Sequence, residues 1–196
     1  MVNAEKLEIL SDKLFFTTID VANLFDYTLK SARVFCSRYV KKGLFIRLKK
    51  DLYITSFRWN SLTLEDFFKV SSFLRVPSYI SLMTALSYYG ITTQMYHGYF
   101  ESITINSSKY YEVKNVVFKY YKINGKFFNN YSRKNGYFIA TKEKAFLDSV
   151  YLYSFGKYRF DNSAIDYSKL DKDKVFSIAR DFPKKTVKSL EKLWST

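Results

Sequence analysis

The chain has 196 residues, 47% hydrophobic and 20% aromatic, with 18 Tyr and 19 Phe; that is enough apolar material for a packed core and it excludes global disorder. Its formal charge is +14, from 32 Lys and Arg against 18 Asp and Glu, which points to a polyanion such as nucleic acid or an acidic membrane, with a merely basic surface as the plain alternative. One Cys (Cys36) and one His (His97) exclude an internal disulfide and a His/Cys metal cluster.

No apolar run is long enough for a membrane span and no secretory leader is visible, so the expected compartment is the reducing cytoplasm. The length suits a small module followed by a medium one. The expected fold class is α+β: an N-terminal winged helix-turn-helix over 1–60, then a larger mixed α/β domain over 61–196.

Residues 4–10 supply a first helix. A second, shorter one follows, with Thr17 or Thr18 as cap and Asp20 in its first turn, where a carboxylate opposes the helix dipole. Val21, Ala22, Leu24 and Phe25 give it an apolar side. Asp26-Tyr27-Thr28 is a three-residue break of helix-turn-helix spacing. Charge then changes abruptly. Residues 1–28 hold two basic and five acidic side chains; residues 29–50 hold eight basic and no acidic ones. A solvated helix usually mixes signs to gain i,i+4 pairs, so this segment reads as one whose partner supplies the negative charge.

The third helix is expected over 29–42, capped by Thr28 and closed by Gly43. Leu29, Ala32, Phe35, Cys36, Tyr39 and Val40 fall on its inner side. Cys36 is therefore core and not a reactive thiol. Lys30, Val34, Ser37, Arg38 and Lys41 fall on the outer side, with Ser31 and Arg33 on its flanks. Beyond Gly43 the period changes to two: residues 44–49 and 52–55 read as strands joined at Lys50-Asp51, a basic wing.

A helix in the major groove reaches base edges with its N-terminal residues. Lys30, Ser31, Arg33, Val34, Ser37, Arg38 and Lys41 are the candidates, with Arg for guanine, Ser for several bases and Val34 for a thymine methyl. Arg47, Lys49 and Lys50 would meet phosphate or the minor groove; Thr17, Thr18 and Tyr27 would bond phosphate from helix ends. The competing reading is a winged helix that makes only protein contacts.

The expected junction is 58–61. A helix follows over 64–74, with Thr63 as cap and Asp66 three residues later; Pro77 ends it, and Ser78 caps another helix through Tyr89, closed by Gly90. Residues 100–105, 116–122 and 137–140 read as strands, and 141–155 as a helix with Glu143 in its first turn. The end is helical over 172–181 and 184–194. Residues 109–134 carry seven Lys or Arg and one acid, Glu112, interleaved with Tyr110, Tyr111, Tyr120 and Tyr121. That mixture either stacks single-stranded nucleic acid or forms a strand pair with a solvated Lys face, and the second is favoured.

Chemistry is sparse. There is no Gly-rich phosphate loop and no metal site, and no catalytic residue or cofactor is expected. His97 has no partner cluster. Glu143 and Asp148, five apart on one helix, do not face each other; Glu143 reads as a helix-start carboxylate and Asp148 as a bond to nearby backbone.

Three stretches carry a family resemblance. Phe16-Thr17-Thr18-Ile19-Asp20-Val21-Ala22, Ser31-Ala32-Arg33, Lys42-Gly43-Leu44 and Leu52-Tyr53 form the first. Pro77-Ser78-Tyr79-Ile80-Ser81-Leu82 with Ala85-Leu86-Ser87-Tyr88-Tyr89-Gly90 forms the second. Ile139-Ala140-Thr141-Lys142-Glu143-Lys144-Ala145-Phe146-Leu147-Asp148 forms the third. Together they resemble the AbiEi-type antitoxins of bacterial type IV toxin–antitoxin and abortive-infection systems. Lys142 departs from the Pro of the family's pattern. The resemblance implies repression of its own operon through inverted-repeat DNA, and protection against a nucleotidyltransferase-like toxin without a stable complex. Alternatives are an ordinary winged-helix regulator with a ligand-sensing or dimerising C-terminal domain, a nucleic-acid enzyme using Glu143, Asp148 or Tyr88, and a peripheral membrane protein using 184–194.

Overall fold

A computed structural model of the protein describes residues 4–94 and 97–195. It is mixed α and β and divides into two units, Met1–Val70 and Ser71–Thr196. The division falls inside a helix, ten residues beyond the junction expected at 58–61.

The first unit begins with α1 (Ala4–Asp12), β1 (Phe16–Thr17), α2 (Thr18–Phe25) and α3 (Leu29–Lys41). A hairpin follows, β2 (Phe45–Lys49) and β3 (Leu52–Thr55), then α4 (Ser56–Asn60) and the first part of α5 (Leu64–Leu74), the helix in which the division falls. β3 lies between β1 and β2, antiparallel to both, with a bulge in β2 between Arg47 and Lys49. The core is largely aromatic. Phe35 stacks on Tyr39 at 4.1 Å between centroids, and Phe16 meets Phe45 edge-on at 4.9 Å. Leu10, Val21, Ala22, Ala32, Cys36 and Tyr53 complete it. Burial pushes the Cys36 thiol up to about 11, as suits an inert core thiol. Leu29, expected inside, is 47% exposed, because it opens α3 before the helix reaches the core.

The second unit holds a mixed six-stranded sheet. In chain order its strands are β4 (Ser78–Ile80), β5 (Tyr99–Thr104), β6 (Lys109–Val113), β7 (Val116–Lys122), β8 (Tyr131–Lys134) and β9 (Tyr137–Ala140). In space they run β6-β7-β5-β4-β9-β8. The β5–β7 and β4–β9 pairs are parallel and the others antiparallel. Helices α6 (Leu82–Tyr88), α7 (Lys142–Ser154), α8 (Lys172–Ala179) and α9 (Lys184–Trp194) complete the unit. The segment 109–122 is a strand pair, β6 with β7, and Lys109 and Lys119 lie over tyrosine rings of that pair at 4.8–5.7 Å. Trp194 of α9 packs against Phe146, Tyr167 and Phe176, so its ring is engaged within the unit. Among the described residues no helix is long and apolar enough to cross a membrane.

Two sequence expectations fail here for one reason. Ser78 does not cap a helix: it opens β4, and the helix starts four residues later. Asp148 does not bond nearby backbone: it accepts from the Tyr79 hydroxyl at 3.0 Å, from the Ser81 hydroxyl at 2.8 Å, and from Lys144 one helical turn away. Lys144 also donates to the Tyr79 hydroxyl at 2.8 Å. Lys144 and Asp148 are fully buried. Burial drives the Asp148 carboxyl up and the Lys144 amine down, and their mutual attraction opposes both shifts. Ser81 stands at the N-cap of α6, yet its side chain makes no capping bond; its hydroxyl is turned toward Asp148 and donates to it.

Removing one member of such a pair leaves a buried charge without compensation. Asp148→Ala should therefore destabilise the C-terminal unit by about 3–5 kcal/mol. The double variant Lys144→Met/Asp148→Leu should recover most of that loss. Urea unfolding followed by Trp194 fluorescence reads both, and equal losses in the single and double variants would show that the pair is not the source of the effect.

Candidate nucleic-acid interface

The local sequence builds the end of α3 in a defined way. Thr28 is the N-cap: its hydroxyl accepts the Ser31 amide at 3.2 Å and donates to the Ser31 hydroxyl at 3.0 Å. Before it, Asp26 takes the left-handed conformation at the C-cap of α2, turning the chain within three residues. Ala32, Phe35, Cys36 and Tyr39 bury one side of α3.

The opposite side is exposed at Lys30, Ser31, Arg33, Val34, Ser37, Arg38 and Lys41. No carboxylate lies in the first turn, where one would oppose the helix dipole, and Lys30 stands there instead. The positive pole of the helix and positive side chains thus coincide, which is unfavourable within the protein and favourable to an anion. Val34 is 51% exposed in the middle of this face. A shallow depression of about 400 Å³ is lined by Tyr27, Lys30, Ser31, Val34 and Arg38. Tyr27 holds its place by stacking on Phe25 at 5.6 Å.

The hairpin is tied to α3 through a residue the sequence did not single out. Asp51, left-handed at the tip of the hairpin, accepts from the Thr18 hydroxyl at 2.9 Å and from Arg33 Nε at 3.3 Å. Its backbone carbonyl accepts the Thr18 amide. The Thr18 hydroxyl and the Arg33 guanidinium hold the Asp51 carboxyl below its ordinary value. Lys50, next to it, is exposed at the tip. The other two basic residues of the hairpin are less free. Arg47 lies over the Tyr53 ring at 5.7 Å and donates to its hydroxyl at 3.3 Å, while Lys49 is half-buried beside the bulge.

The two threonines proposed for phosphate serve the fold instead. Thr18 is 2% exposed, and its hydroxyl is spent on Asp51. Thr17 is the N-cap of α2 in a complete capping box: its hydroxyl accepts the Asp20 amide, and the Asp20 carboxylate accepts the Thr17 amide and hydroxyl at 2.7 Å. Lys13 adds an ion pair at 2.7 Å. Against the opposing effect of partial burial, these bonds hold the Asp20 carboxyl down at about 2. The expected cap is thus Thr17, with Asp20 in the first turn as the sequence placed it, and the Thr-x-x-Asp box occupies the hydroxyl that was also assigned to phosphate.

In the second unit Glu143 is buried in the first turn of α7, paired with Lys174 at 3.3 Å and Lys142 at 3.9 Å. Among the described residues no group of three or more His, Cys, Asp or Glu side chains is placed to hold a metal. No family model matches the chain, and no curated protein matches it.

The capping box makes Thr17 a stability residue. Thr17→Ala should lower the stability of the N-terminal unit by about 1 kcal/mol, and Thr17→Ser should retain most of it. The urea midpoint of Trp59 fluorescence measures this, since Trp59 is buried in α4. An unchanged midpoint in Thr17→Ala would remove the capping assignment.

Proposed function

We propose that residues 1–60 form a winged helix-turn-helix that binds duplex DNA, with α3 in the major groove and the β2–β3 hairpin as the wing. The observation that carries this reading is the outer face of α3: seven exposed side chains, four of them cationic, around an exposed Val34 and with no acid. An α-helix fits the major groove, where Arg pairs with guanine and a small apolar side chain meets the thymine methyl. A face meant only for a protein partner has no need of uniform charge.

In this reading Lys30, Ser31, Val34, Ser37 and Arg38 address bases, and Lys41 and Lys50 address phosphate. Arg33, held by Asp51, sets the wing against the helix as well as facing the DNA. Arg47 and Lys49 contribute charge from behind their contacts.

The resemblance to AbiEi-type antitoxins extends the proposal. The chain would repress its own operon at an inverted repeat and protect the cell from a nucleotidyltransferase-like toxin without forming a stable complex with it. The fold brings the two C-terminal motifs of that resemblance together, Tyr79 and Ser81 from one against Lys144 and Asp148 from the other. That contact makes their joint presence a requirement of the unit's core, so it supports a shared fold more than a shared activity. The alternative remains an ordinary regulator with a ligand-sensing C-terminal unit.

Titrating upstream DNA at several salt concentrations tests the first part. With about five phosphates neutralised, log K should fall against log salt with a slope of about −4 to −5. Arg38→Ala should cost about 1–3 kcal/mol on the specific site and narrow the gap to scrambled DNA, whereas Lys50→Ala should weaken both DNAs alike. A flat salt response, or equal affinity for scrambled DNA, would sink the DNA reading. For the second part, full-length Arg38→Glu should lose repression yet still protect cells that express the toxin encoded beside it. Loss of both together would reduce the protein to a repressor.

A further inference from the structure

Two adjoining cavities in the C-terminal unit have no part in the proposals above. One, of about 620 Å³, is walled by Tyr99, Tyr121, Tyr158 and Phe160, with Lys157 and Arg159 among its lining residues. The other, of about 520 Å³, is lined by Ser108, Lys119, Lys122, Asn124 and Tyr151 among others. Tyr121 and Lys157 line both. Each volume is in the range of small-molecule sites.

The sheet explains the arrangement. Parallel pairing of β5 and β7 sets Glu101 beside Lys119, and side chains two apart on a strand share a face. Tyr99, Glu101, Lys119 and Tyr121 therefore stand on one side of the sheet. Glu101 is the buried base of the first cavity. Its Oε2 accepts the Met83 amide at 3.2 Å and the Tyr158 hydroxyl at 2.8 Å, and the Tyr121 hydroxyl also bonds to it. Burial pushes its carboxyl up to about 7 against these hydrogen bonds. A phenol that donates a hydrogen bond to a carboxylate keeps its own proton and its lone pairs, so Tyr121 and Tyr158 are fixed as rings and as acceptors. Tyr121 meets Tyr158 edge-on at 5.4 Å, and Tyr158 stacks with Phe160 at 6.2 Å.

The linings are unequal in charge. Glu101 is the sole acid among the described residues lining either cavity, and it faces inward, whereas Lys119, Lys122, Lys157 and Arg159 are cationic. Rings alone would suit a quaternary ammonium, which these cations repel. Cations alone would suit inorganic phosphate, which has no use for four rings. A flat heteroaromatic ring bearing a multiply charged anionic tail uses both.

We infer that the two cavities form one cleft for a free nucleoside polyphosphate, with its base among Tyr99, Tyr121 and Phe160 and its phosphates toward Lys119, Lys122 and Lys157. Glu101 is a positioning residue that holds the two phenols.

Isothermal titration of the full chain tests this with ATP, GTP, the two nucleosides, tripolyphosphate and a single-stranded decanucleotide. At least one triphosphate should bind about tenfold or more tighter than both its nucleoside and tripolyphosphate, since ring stacking and charge each contribute. Lys157→Glu should weaken it by about tenfold or more, while Lys188→Glu, the same charge change on the exposed side of α9, should not. Tyr121→Ala should lose about tenfold through stacking, read beside a circular dichroism spectrum; if it unfolds, the lysine pair decides. Four results would each overturn the inference: no binding of either triphosphate, tripolyphosphate binding as well as the triphosphates, equal losses in Lys157→Glu and Lys188→Glu, or binding of the oligonucleotide alone.

Discussion

The C-terminal unit is organised around one fully buried ion pair, Lys144 with Asp148, and the two hydroxyls that complete it, Tyr79 and Ser81. Charges out of water must be matched by partners with good geometry, so this pair dictates where four side chains stand. Tyr79 reaches the pair only from a central strand, and Ser81 only from the start of the next helix. The segment 78–81 is thereby committed to strand and turn, β4 takes its place between β5 and β9, and α7 is held against the sheet. An apolar replacement of equal volume would bury as well, but it would not discriminate between these positions.

A second buried carboxylate, Glu101, plays a comparable part further along the same sheet. Among the described residues it has no buried cation as partner and is satisfied by an amide and phenols instead. Its elevated pKa follows from that difference: hydrogen bonds offset part of the desolvation, and no opposite charge offsets the rest. The rings it orders line a cavity rather than filling one, which is why the region invites a ligand when the Lys144–Asp148 region does not.

The N-terminal unit solves a different problem. Its core is built from aromatic rings on α2, α3 and the hairpin, which leaves the outward face of α3 without any packing duty. Like charges on that face repel each other and the helix dipole, a modest cost at a solvated surface. Asp51 relieves part of it at one end by holding Arg33 to the hairpin tip. The rest of the cationic face stays unrelieved, and this excess is what the proposed DNA partner would neutralise.

Much of this was legible in the residue order. The period of 3.6 over 29–41, the change to two after Gly43, the Thr caps and the one-sided charge are local properties, and local backbone preference decides them. They placed α1, α2, α3 and the hairpin, most of the later helices, and the exposed candidates on α3. What the sequence could not decide were contacts between residues far apart in the chain. Thr18 and Arg33 look like free polar groups until the hairpin brings Asp51 to them. Asp148 reads as a carboxylate bonding nearby backbone until Tyr79 and Ser81, 69 and 67 residues away, arrive on its other side. Ser78 reads as a helix cap because Ser is a good one; it opens a strand because the sheet and the buried pair outweigh a preference worth about 1 kcal/mol. The cleft around Glu101 was likewise invisible, since its rings and lysines come from segments that only the parallel pairing of β5 with β7 and the packing of 156–160 bring together. Local preferences are additive along the chain and can be read there, whereas a buried charge is satisfied only in three dimensions.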